Sequence, residues 1–440
     1  MTAKKHTLNL DWLRAMDEQQ LLEHKTMVDQ LLSNLPRHPS TRAISPLAIT
    51  YIAEYYQRTT GFDSALEILN KIEQDGPGEE FYSIKIEFLL QHGRLDELED
   101  YIQQLPIEQT SRPMFSLLCL KYYLSLDQRE RAESYLDKLI CNHPRARQQL
   151  LEAITIATVY DLKFDCDKFS NNIQWAENFL GMESKILGLE EIEMVPLVYC
   201  LNLDRSADRM AECSELYGNN LEFRRISAVP GDTLPDYILN TITTNDVLSK
   251  GSIGCSLSHI STWETISKND SSHPPLMVVE DDGLPIFVSR ATYGICQKLM
   301  MQQNIDLLYI HGAASPIGLA VQDFSPTWKP EILTLEAALD RFQRYNKPLL
   351  PGWGSYGYLI SSNGARKLLA LIERDGLSNH IDWQTFLYSI TDLNHPAFQS
   401  KAMEVASYKK ITGRAPQCEL NSGIINFPMI AHIDFSHSTR

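Results

Sequence analysis

The chain has few of the features that mark secreted, membrane-spanning or nucleic-acid-binding proteins. Its first residues, MTAKKHTLNLDWLRAMDEQQ, lack the apolar core of a signal peptide, and no segment approaches the roughly 18 apolar residues of a membrane span. Acidic residues outnumber basic ones, 56 to 40, which argues against a general binder of nucleic acid. We therefore expect a cytoplasmic protein, free or peripheral at the inner face of the membrane, with no transmembrane segment and no nucleic-acid partner.

Cysteine is also scarce. The eight cysteines are scattered without CxxC pairs, so they predict neither a zinc site nor a disulfide framework, and we expect most of them to be reduced core residues. With 440 residues, of which 43% are apolar and 22% charged, the chain is long enough for two or three globular domains.

The N-terminal part has a helical pattern with an internal repeat. Three similar segments, 33 and 34 residues apart, start at Tyr55, Phe88 and Tyr122. Each has an aromatic or leucine pair, a polar turn and an amphipathic helix, and Asp127 stands near where the other copies have Gly61 and Gly93. The pattern resembles the tetratricopeptide repeat. It predicts an all-α, helical-repeat domain over 1–185, with a generic helical bundle as the alternative. Stacked repeats offer a groove for a protein partner or for self-association.

After residue 190, short apolar runs alternate with amphipathic stretches, which is typical of α/β organisation. The predicted strands lie in 195–203, 276–280, 305–312 and 356–361. The short apolar runs predict central parallel strands, and ligand sites in such sheets lie beyond the carboxyl ends of the strands. Polar residues follow each run, among them Ser361 and Ser362 after the last one.

The run LMVVEDDG (276–283) ends an apparently buried strand in three carboxylates. Such a cluster is costly unless a cation or protons neutralise it. Hard oxygen ligands favour Mg²⁺ or Mn²⁺, which take one or two protein carboxylates together with water and substrate phosphate. Alternation along an extended chain places Glu280 and Asp282 on one side and Asp281 on the other. The alternative is an acidic turn that binds no ion.

Two further stretches carry candidate anion contacts. In KGSIGCSLSHISTWETI (250–266), glycines precede Ser258 and His259, which we expect to open a helix whose free N–H groups can bind an anion; a plain helix cap is the alternative. In YCLNLDRSADRM (199–210), Arg205 and Arg209 share a helix face if Ser206 is the N-cap. Two guanidinium groups suit a diphosphate or an acidic sugar, and salt bridges to neighbouring aspartates are the alternative.

Taken in order, six blocks resemble glycosyltransferase family 25, which contains bacterial lipooligosaccharide galactosyltransferases and collagen galactosyltransferase domains. The blocks are LNLDRSADRM, EFRRISAVPGDTL, KGSIGCSLSHISTWE, LMVVEDDG, GYLISSNGARKLL and HIDW, and the resemblance covers roughly 194–440. It implies a GT-A-type, Rossmann-like α/β domain over 194–440, a UDP-sugar donor, most often UDP-galactose, and Mn²⁺ or Mg²⁺ as cofactor. Pro230 departs from the family pattern, which commonly has a polar or acidic residue before Gly231.

The resemblance also implies roles for individual residues. It assigns metal contacts to Glu280 and Asp282, with the late histidines His432 and His437 as candidate additions. It assigns donor contacts to Asn202, Arg209, Gly254, Ser258 and His259, and we predict further donor contacts at Arg205 and Asp281.

If the reaction inverts the anomeric centre, as the resemblance suggests, a carboxylate must take the acceptor's proton. Asp382 in NHIDWQTF is the first candidate, and Trp383 would stack on a sugar face. Asp382 could instead cap the following helix or help to hold the metal. The nearby stretch GWGSYGYLIS (352–361) mixes glycines and aromatics, as sugar sites do, although its aromatics could equally be core residues.

The leading hypothesis is therefore a glycosyltransferase that moves a hexose to a saccharide acceptor, such as a lipopolysaccharide core, or to a protein acceptor recruited by the repeats. One alternative is a non-catalytic scaffold with a degenerate transferase domain, which the retained carboxylates disfavour. A second is phosphoryl transfer from an aspartyl nucleophile, which would require the acidic motif at the first strand.

Overall fold

The computed structural model describes residues 13, 16, 18–33, 46–74, 81–218, 221–242, 248–311, 324–345, 354–390, 392–393, 395 and 402–432. These residues form two compact units, one that ends at Leu139 and one that starts at Ile140. Within this described part of the chain, no helix has both the length and the apolar character that a membrane crossing needs.

The first unit is all-helical, which confirms the predicted helical N-terminal region. Its helices are α1 (Glu18–Ser33), α2 (Pro46–Thr60), α3 (Phe62–Gln74), α4 (Phe81–Gln91), α5 (Leu95–Gln104), α6 (Ile107–Thr110), α7 (Pro113–Ser125) and α8 (Arg129–Asn142), the last of which continues into the second unit.

The three similar segments found in the sequence each form two helices joined by a tight turn: α2 with α3, α4 with α5, and α7 with α8. The turns contain Gly61, Gly93 and Asp127, whose φ angles are 94°, 65° and 54°. Glycine adopts this left-handed conformation without a steric penalty, and aspartate tolerates it better than most residues. Asp127 therefore occupies the same turn position as the two glycines.

The second unit contains a mixed α/β domain preceded by three helices. Its helices are α9 (Arg147–Val159), α10 (Cys166–Asn172), α11 (Ala176–Leu187), α12 (Ala207–Leu216), α13 (Asp236–Ile242), α14 (Lys250–Ser267), α15 (Arg290–Gln303), α16 (Leu335–Tyr345), α17 (Ser362–Asp375), α18 (Ile381–Leu387) and α19 (Ala402–Thr412). Its strands are β1 (Leu197–Asn202), β2 (Glu222–Ser227), β3 (Leu276–Glu280), β4 (Gly283–Pro285), β5 (Leu307–Tyr309), β6 (Ile332–Thr334), β7 (Gly357–Ile360), β8 (Ser422–Ile425) and β9 (Ile430–His432).

Seven of the strands form one sheet in the order β2-β1-β3-β7-β5-β8-β6, and β4 pairs with β9. Strands β2, β1 and β3 are parallel, but β7 runs antiparallel to both β3 and β5. The expectation of a parallel strand in 356–361 was therefore wrong, because strand direction depends on the chain path between strands and not on local hydrophobicity. The start of β7 therefore lies beside the end of β3, close to Glu280. Ser361 and Ser362 follow the other end of β7 and lie beside the start of β3.

The buried strands form the centre of the domain. All six residues of β1 and the first four of β3 are buried, and the core around them includes Trp263, Tyr358 and Phe386. Polar groups at the carboxyl ends of β1 and β3 are consequently attached to rigid elements, which is where open α/β sheets place ligands.

Helix α14 crosses the 229–231 loop at a glycine, and this crossing sets the helix position. A Cβ atom on Gly254 would lie 2.5 Å from the Val229 carbonyl oxygen and 2.6 Å from the Gly231 nitrogen. We expect Gly254→Ala to lower the free energy of unfolding by about 1–3 kcal/mol, because the backbone would have to move apart.

The matched control is Gly251→Ala, one turn earlier in the same helix. Its nearest neighbour would be the Ser249 hydroxyl at 3.8 Å, so the added methyl group should raise stability by up to about 1 kcal/mol through helix propensity. Urea unfolding of both variants is the measurement. Equal effects of the two substitutions would show that the close crossing does not constrain α14.

Candidate functional site

A cleft of about 330 Å³ opens at the carboxyl end of β3. Carboxylates, imidazoles, hydroxyl groups and glycine backbone line it: Gly251, Ser252, Cys255, Glu280, Asp282, Gly354, Ser355, Tyr356, His380, Ile381, Asp382 and His432. Four residues singled out in three separate stretches of the sequence therefore meet in one place, namely Glu280, Asp282, Asp382 and His432.

The strand exit that carries the acidic triplet is held on both sides. The Glu280 N–H donates to the Tyr356 carbonyl at 3.2 Å, and the Asp281 N–H donates to the Leu201 carbonyl at 3.1 Å. Because these backbone bonds hold Glu280 and Asp281 to the segments on either side, the backbone that carries the carboxylates is fixed in position.

Asp281 turns into the protein. It accepts a hydrogen bond from the Asn202 amide at 2.7 Å and lies 2.6 Å from the Arg209 guanidinium. Burial raises the pKa of Asp281, although the charge of Arg209 opposes the shift. Asn202 is buried and also donates to the Ser206 carbonyl at 2.8 Å. These contacts give Asn202, Arg209 and Asp281 a structural role in joining β1, α12 and the end of β3; their predicted donor contacts stay predictions.

Asp282 lines the cleft, and its two carboxylate oxygens have different surroundings. Its Oδ2 lies 3.5 Å from His432 Nε2 and 3.6 Å from Arg209. Its Oδ1 is buried and has no hydrogen-bond partner among the described residues. Burial alone would raise the pKa of Asp282, but the hydrogen bond with His432 and the charges of His432 and Arg209 outweigh it and lower the pKa. Asp282 is thus an ionised carboxylate with a free acceptor oxygen.

Glu280 shares the cleft with Asp282 but has more protein partners. Its Oε1 accepts from the Ser355 hydroxyl at 2.5 Å and lies 3.3 Å from His259 Nε2. Among the described residues, the ligand atoms of Cys255, His259 and Glu280 all lie within 4.8 Å of one another, and they are the one such group that could hold a metal. The predicted metal set of Glu280, Asp282 and His432 does not form an equally compact group.

Asp382 lies in the first turn of α18. Its Oδ1 accepts a hydrogen bond from the N–H of the next residue, Trp383, at 2.8 Å. Burial raises the pKa of Asp382 to about 6, and the negative charge of Glu280 contributes to the increase. A carboxylate with a pKa in this range can exchange protons near neutral pH, which is what a general base requires.

The expected helix start at Ser258 and His259 was wrong. Helix α14 begins at Lys250, with Ser249 as the N-cap that accepts from the Ser252 N–H. Ser258 and His259 are therefore buried in the middle of the helix, and their backbone N–H groups are not free for an anion. The Ser258 hydroxyl accepts from the Val229 N–H at 2.8 Å and donates to the Gly254 carbonyl at 2.7 Å, so Ser258 holds the 229–231 loop against α14.

Arg205 lies just before α12, whose N-cap is Ser206 as expected. Arg205 is exposed, pairs with Asp232 at 3.0 Å and is not among the residues that line the cleft. Its predicted donor contact stays a prediction. Gly352, Trp353 and His437 lie outside the described residues.

Sequence reasoning did not single out Cys255, Ser355, Tyr356 or His380 as cleft residues, although Ser355 and Tyr356 lie in the stretch 352–361 that it compared with sugar sites. Tyr356 lies between two imidazoles, with ring centroids 4.4 Å from His311 and 5.3 Å from His432. The signals were present but weak: Cys255 is four residues before His259 on one helix face, and Ser355 stands between two glycine-flanked aromatics. Only the antiparallel direction of β7 brings Ser355 and Tyr356 to the carboxylates.

Comparison with known proteins points to one family. Residues 196–382 match the model of Glycosyltransferase family 25 (LPS biosynthesis protein), which confirms the resemblance predicted from the ordered sequence blocks. The matched segment runs from β1 to Asp382 and includes every cleft residue except His432. Neither a curated protein nor a solved structure matches the chain.

Proposed function

Because residues 196–382 match glycosyltransferase family 25, we propose that the α/β domain transfers a hexose from a UDP-sugar, in the first instance UDP-galactose, to an acceptor hydroxyl. The observation that carries this proposal is the meeting of Glu280, Asp282 and Asp382 in one cleft at the carboxyl end of β3. A GT-A-type arrangement is part of the proposal. It is supported by the parallel strands β2, β1 and β3, the last of which leads directly into the cleft.

The residues of the cleft fit a divalent cation, Mn²⁺ or Mg²⁺. The buried Oδ1 of Asp282 has no protein partner in the described part of the chain, and an ionised carboxylate with a free oxygen is the ligand that these ions take. Asp282 would hold the ion together with His432, and Glu280 lies close enough to the cleft to contribute an oxygen. When bound, such an ion neutralises the charge that develops on the diphosphate leaving group.

The protein's own residues would supply the proton acceptor and the surfaces that bind the sugar and the acceptor. Asp382 accepts the proton of the acceptor hydroxyl as the hydroxyl oxygen attacks the anomeric carbon, while the bond from that carbon to the diphosphate oxygen breaks and UDP leaves. Its raised pKa lets it do so near neutral pH. Tyr356 and Ile381 present apolar surface to the sugar, while Gly251 and Gly354 leave room for the acceptor.

The acceptor is a saccharide, for which a lipopolysaccharide core is the first candidate because the matched family is described as containing an LPS biosynthesis protein. The alternative within this proposal is a protein or peptide acceptor recruited by the helical hairpins of the first unit, since stacked helical repeats commonly hold peptides.

A thermal-shift screen of the full chain tests the donor assignment. UDP-sugars should raise the unfolding temperature in the presence of Mn²⁺, because a ligand that binds only the folded state stabilises it in proportion to RT ln(1 + [L]/Kd). GDP-, CMP- and ADP-sugars serve as matched nucleotide controls. A chain that responds to no nucleotide sugar, with or without metal, would contradict the proposal and favour a non-catalytic scaffold.

A further inference from the structure

A chain of hydrogen bonds runs from the domain core to the cleft through Trp263, Tyr358, His259 and Glu280. We infer that this chain fixes His259 as the neutral tautomer with its proton on Nε2, and that His259 is a positioning residue for the Glu280 carboxylate. The positioning role deepens the proposed function and rests on it, because it assumes that the cleft binds a nucleotide sugar. The tautomer of His259 follows from the protein's own contacts alone.

The contacts are all within hydrogen-bond distance, and three of the four side chains lie in the interior. Trp263 Nε1 lies 2.9 Å from the Tyr358 hydroxyl, and that hydroxyl lies 2.9 Å from His259 Nδ1. His259 Nε2 lies 3.3 Å from Glu280 Oε1. His259 is 0% exposed, and Trp263 and Tyr358 are also buried. Buried polar groups of this kind are stable only when each donor meets an acceptor.

The direction of each bond follows from which groups can donate. An indole N–H only donates, so the Tyr358 oxygen accepts from Trp263. Among the described residues, Trp263 and His259 are the hydrogen-bond partners of that hydroxyl. Since Trp263 cannot accept, the Tyr358 O–H must donate to His259 Nδ1, which then carries no proton. The neutral ring keeps its proton on Nε2 and donates it to Glu280 Oε1.

This arrangement orients Glu280. Its Oε1 receives both the His259 N–H and the Ser355 O–H, the latter at 2.5 Å. Among the described residues no hydrogen bond falls on Oε2, so its lone pairs are left for a ligand in the cleft. Two donors on one oxygen restrict rotation of the carboxylate and reduce the entropy lost when a ligand binds.

The same atoms suggest a competing arrangement. Cys255, His259 and Glu280 would suit a softer ion such as Zn²⁺, because their ligand atoms lie within 4.8 Å of one another. A metal on Nε2 would require the proton of His259 to be on Nδ1, facing Tyr358. The buried Tyr358 O–H would then have no acceptor, which is why we favour the hydrogen-bond chain.

Nitrogen NMR of the full chain labelled with ¹⁵N-histidine decides between them. Long-range ¹H–¹⁵N spectra distinguish the two neutral tautomers and the imidazolium, and the signals lost in His259→Gln identify His259. We expect the Nε2–H tautomer, unchanged when Zn²⁺ is added. An Nδ1–H tautomer, an imidazolium, or a shift of the Nε2 signal with Zn²⁺ would overturn the inference. This readout does not depend on any transferase activity.

A second measurement tests positioning. In His259→Gln the amide N–H can take the place of Nε2–H, whereas His259→Leu has no donor. Affinity for UDP in the presence of Mn²⁺ should fall about tenfold or more in His259→Leu and by less than about threefold in His259→Gln, because a hydrogen bond to a charged group is lost only in the first. Circular dichroism establishes that both variants fold. Equal losses in the two variants would contradict positioning. If the wild-type chain bound no UDP, the proposed function would fail, while the NMR result would still decide the tautomer.

Discussion

The Asp282→Asn variant is expected to lose metal-dependent release of UDP from the sugar donor by a factor of about 100 to 1,000 while keeping its fold. The substitution leaves the shape of the side chain but removes the charge that a cation and its diphosphate require, and the loss of one such electrostatic contact typically costs this much in kcat. Arg209 keeps its ion pair with Asp281 at 2.6 Å, so the free energy of unfolding should fall by only about 1 kcal/mol.

The matched control for this variant is Asp232→Asn. Asp232 also pairs with an arginine, Arg205, but it is exposed and does not line the cleft. Release of UDP and urea unfolding should both stay close to the wild-type values. If Asp282→Asn released UDP as fast as the Asp232→Asn control, Asp282 would not hold the cation.

The Asp382→Asn variant should lose about 100- to 10,000-fold in kcat, with donor affinity unchanged, because general-base catalysis typically contributes this much. The amide oxygen can still accept the Trp383 N–H, so the start of α18 is preserved. Rates of transfer under saturating donor and calorimetric binding of UDP separate the two effects. A variant that weakens donor binding but not the transfer rate would show that Asp382 helps to hold the metal and is not the base.

The pH dependence gives an independent signature of Asp382. Its pKa is raised to about 6, chiefly by burial, and the protonated acid cannot accept a proton. Wild-type activity should therefore rise with pH, reach half of its maximum near pH 6 and level off above that value, and a bound cation, which lowers the pKa of Asp382, would move this midpoint to lower pH. This acidic limb should be absent from the residual activity of Asp382→Asn.

The contribution of Asp382 to the free energy of unfolding should fall with rising pH, whereas the activity should rise. Because the folded-state pKa of Asp382 lies above its unfolded value, the folded state binds the proton more tightly, and this contribution to stability is lost as pH rises through about 6. At pH 7 the Asp382→Asn variant should consequently be at least as stable as the wild type. If Asp382 only held the start of α18, Asp382→Asn would leave the transfer rate unchanged, because the amide oxygen can still accept the Trp383 N–H.

The acidic triplet illustrates what could be predicted from the sequence. Glu280, Asp281 and Asp282 follow a four-residue apolar run, and both the strand and the alternation of its side chains are local properties. Asp281 turns toward Arg209, while Glu280 and Asp282 line the cleft. The helical hairpins could also be predicted from the sequence, since the period near 34 residues and the turn residues able to adopt positive φ are both visible in it.

The rest of the cleft depended on contacts between distant segments. Two glycines near the start of α14 suggested a loop, but Gly254 packs against the 229–231 backbone, and tertiary contact outweighs the low helix propensity of glycine. Likewise, nothing local fixes the direction of β7. A parallel β7 would have placed Ser361 and Ser362 beside the carboxylates. Because β7 is antiparallel to β3, Ser355 and Tyr356 lie there instead.

Release of UDP by the wild-type chain, measured with and without a chelator, is the most direct test of glycosyl transfer. Many transferases pass their sugar slowly to water, so the acceptor need not be known. We predict that the full chain, incubated with Mn²⁺ and a panel of UDP-sugars, releases UDP from at least one donor, most readily UDP-galactose, and that EDTA stops the release. The absence of release from every donor, or release that is the same in EDTA, would contradict a metal-assisted transferase in this cleft.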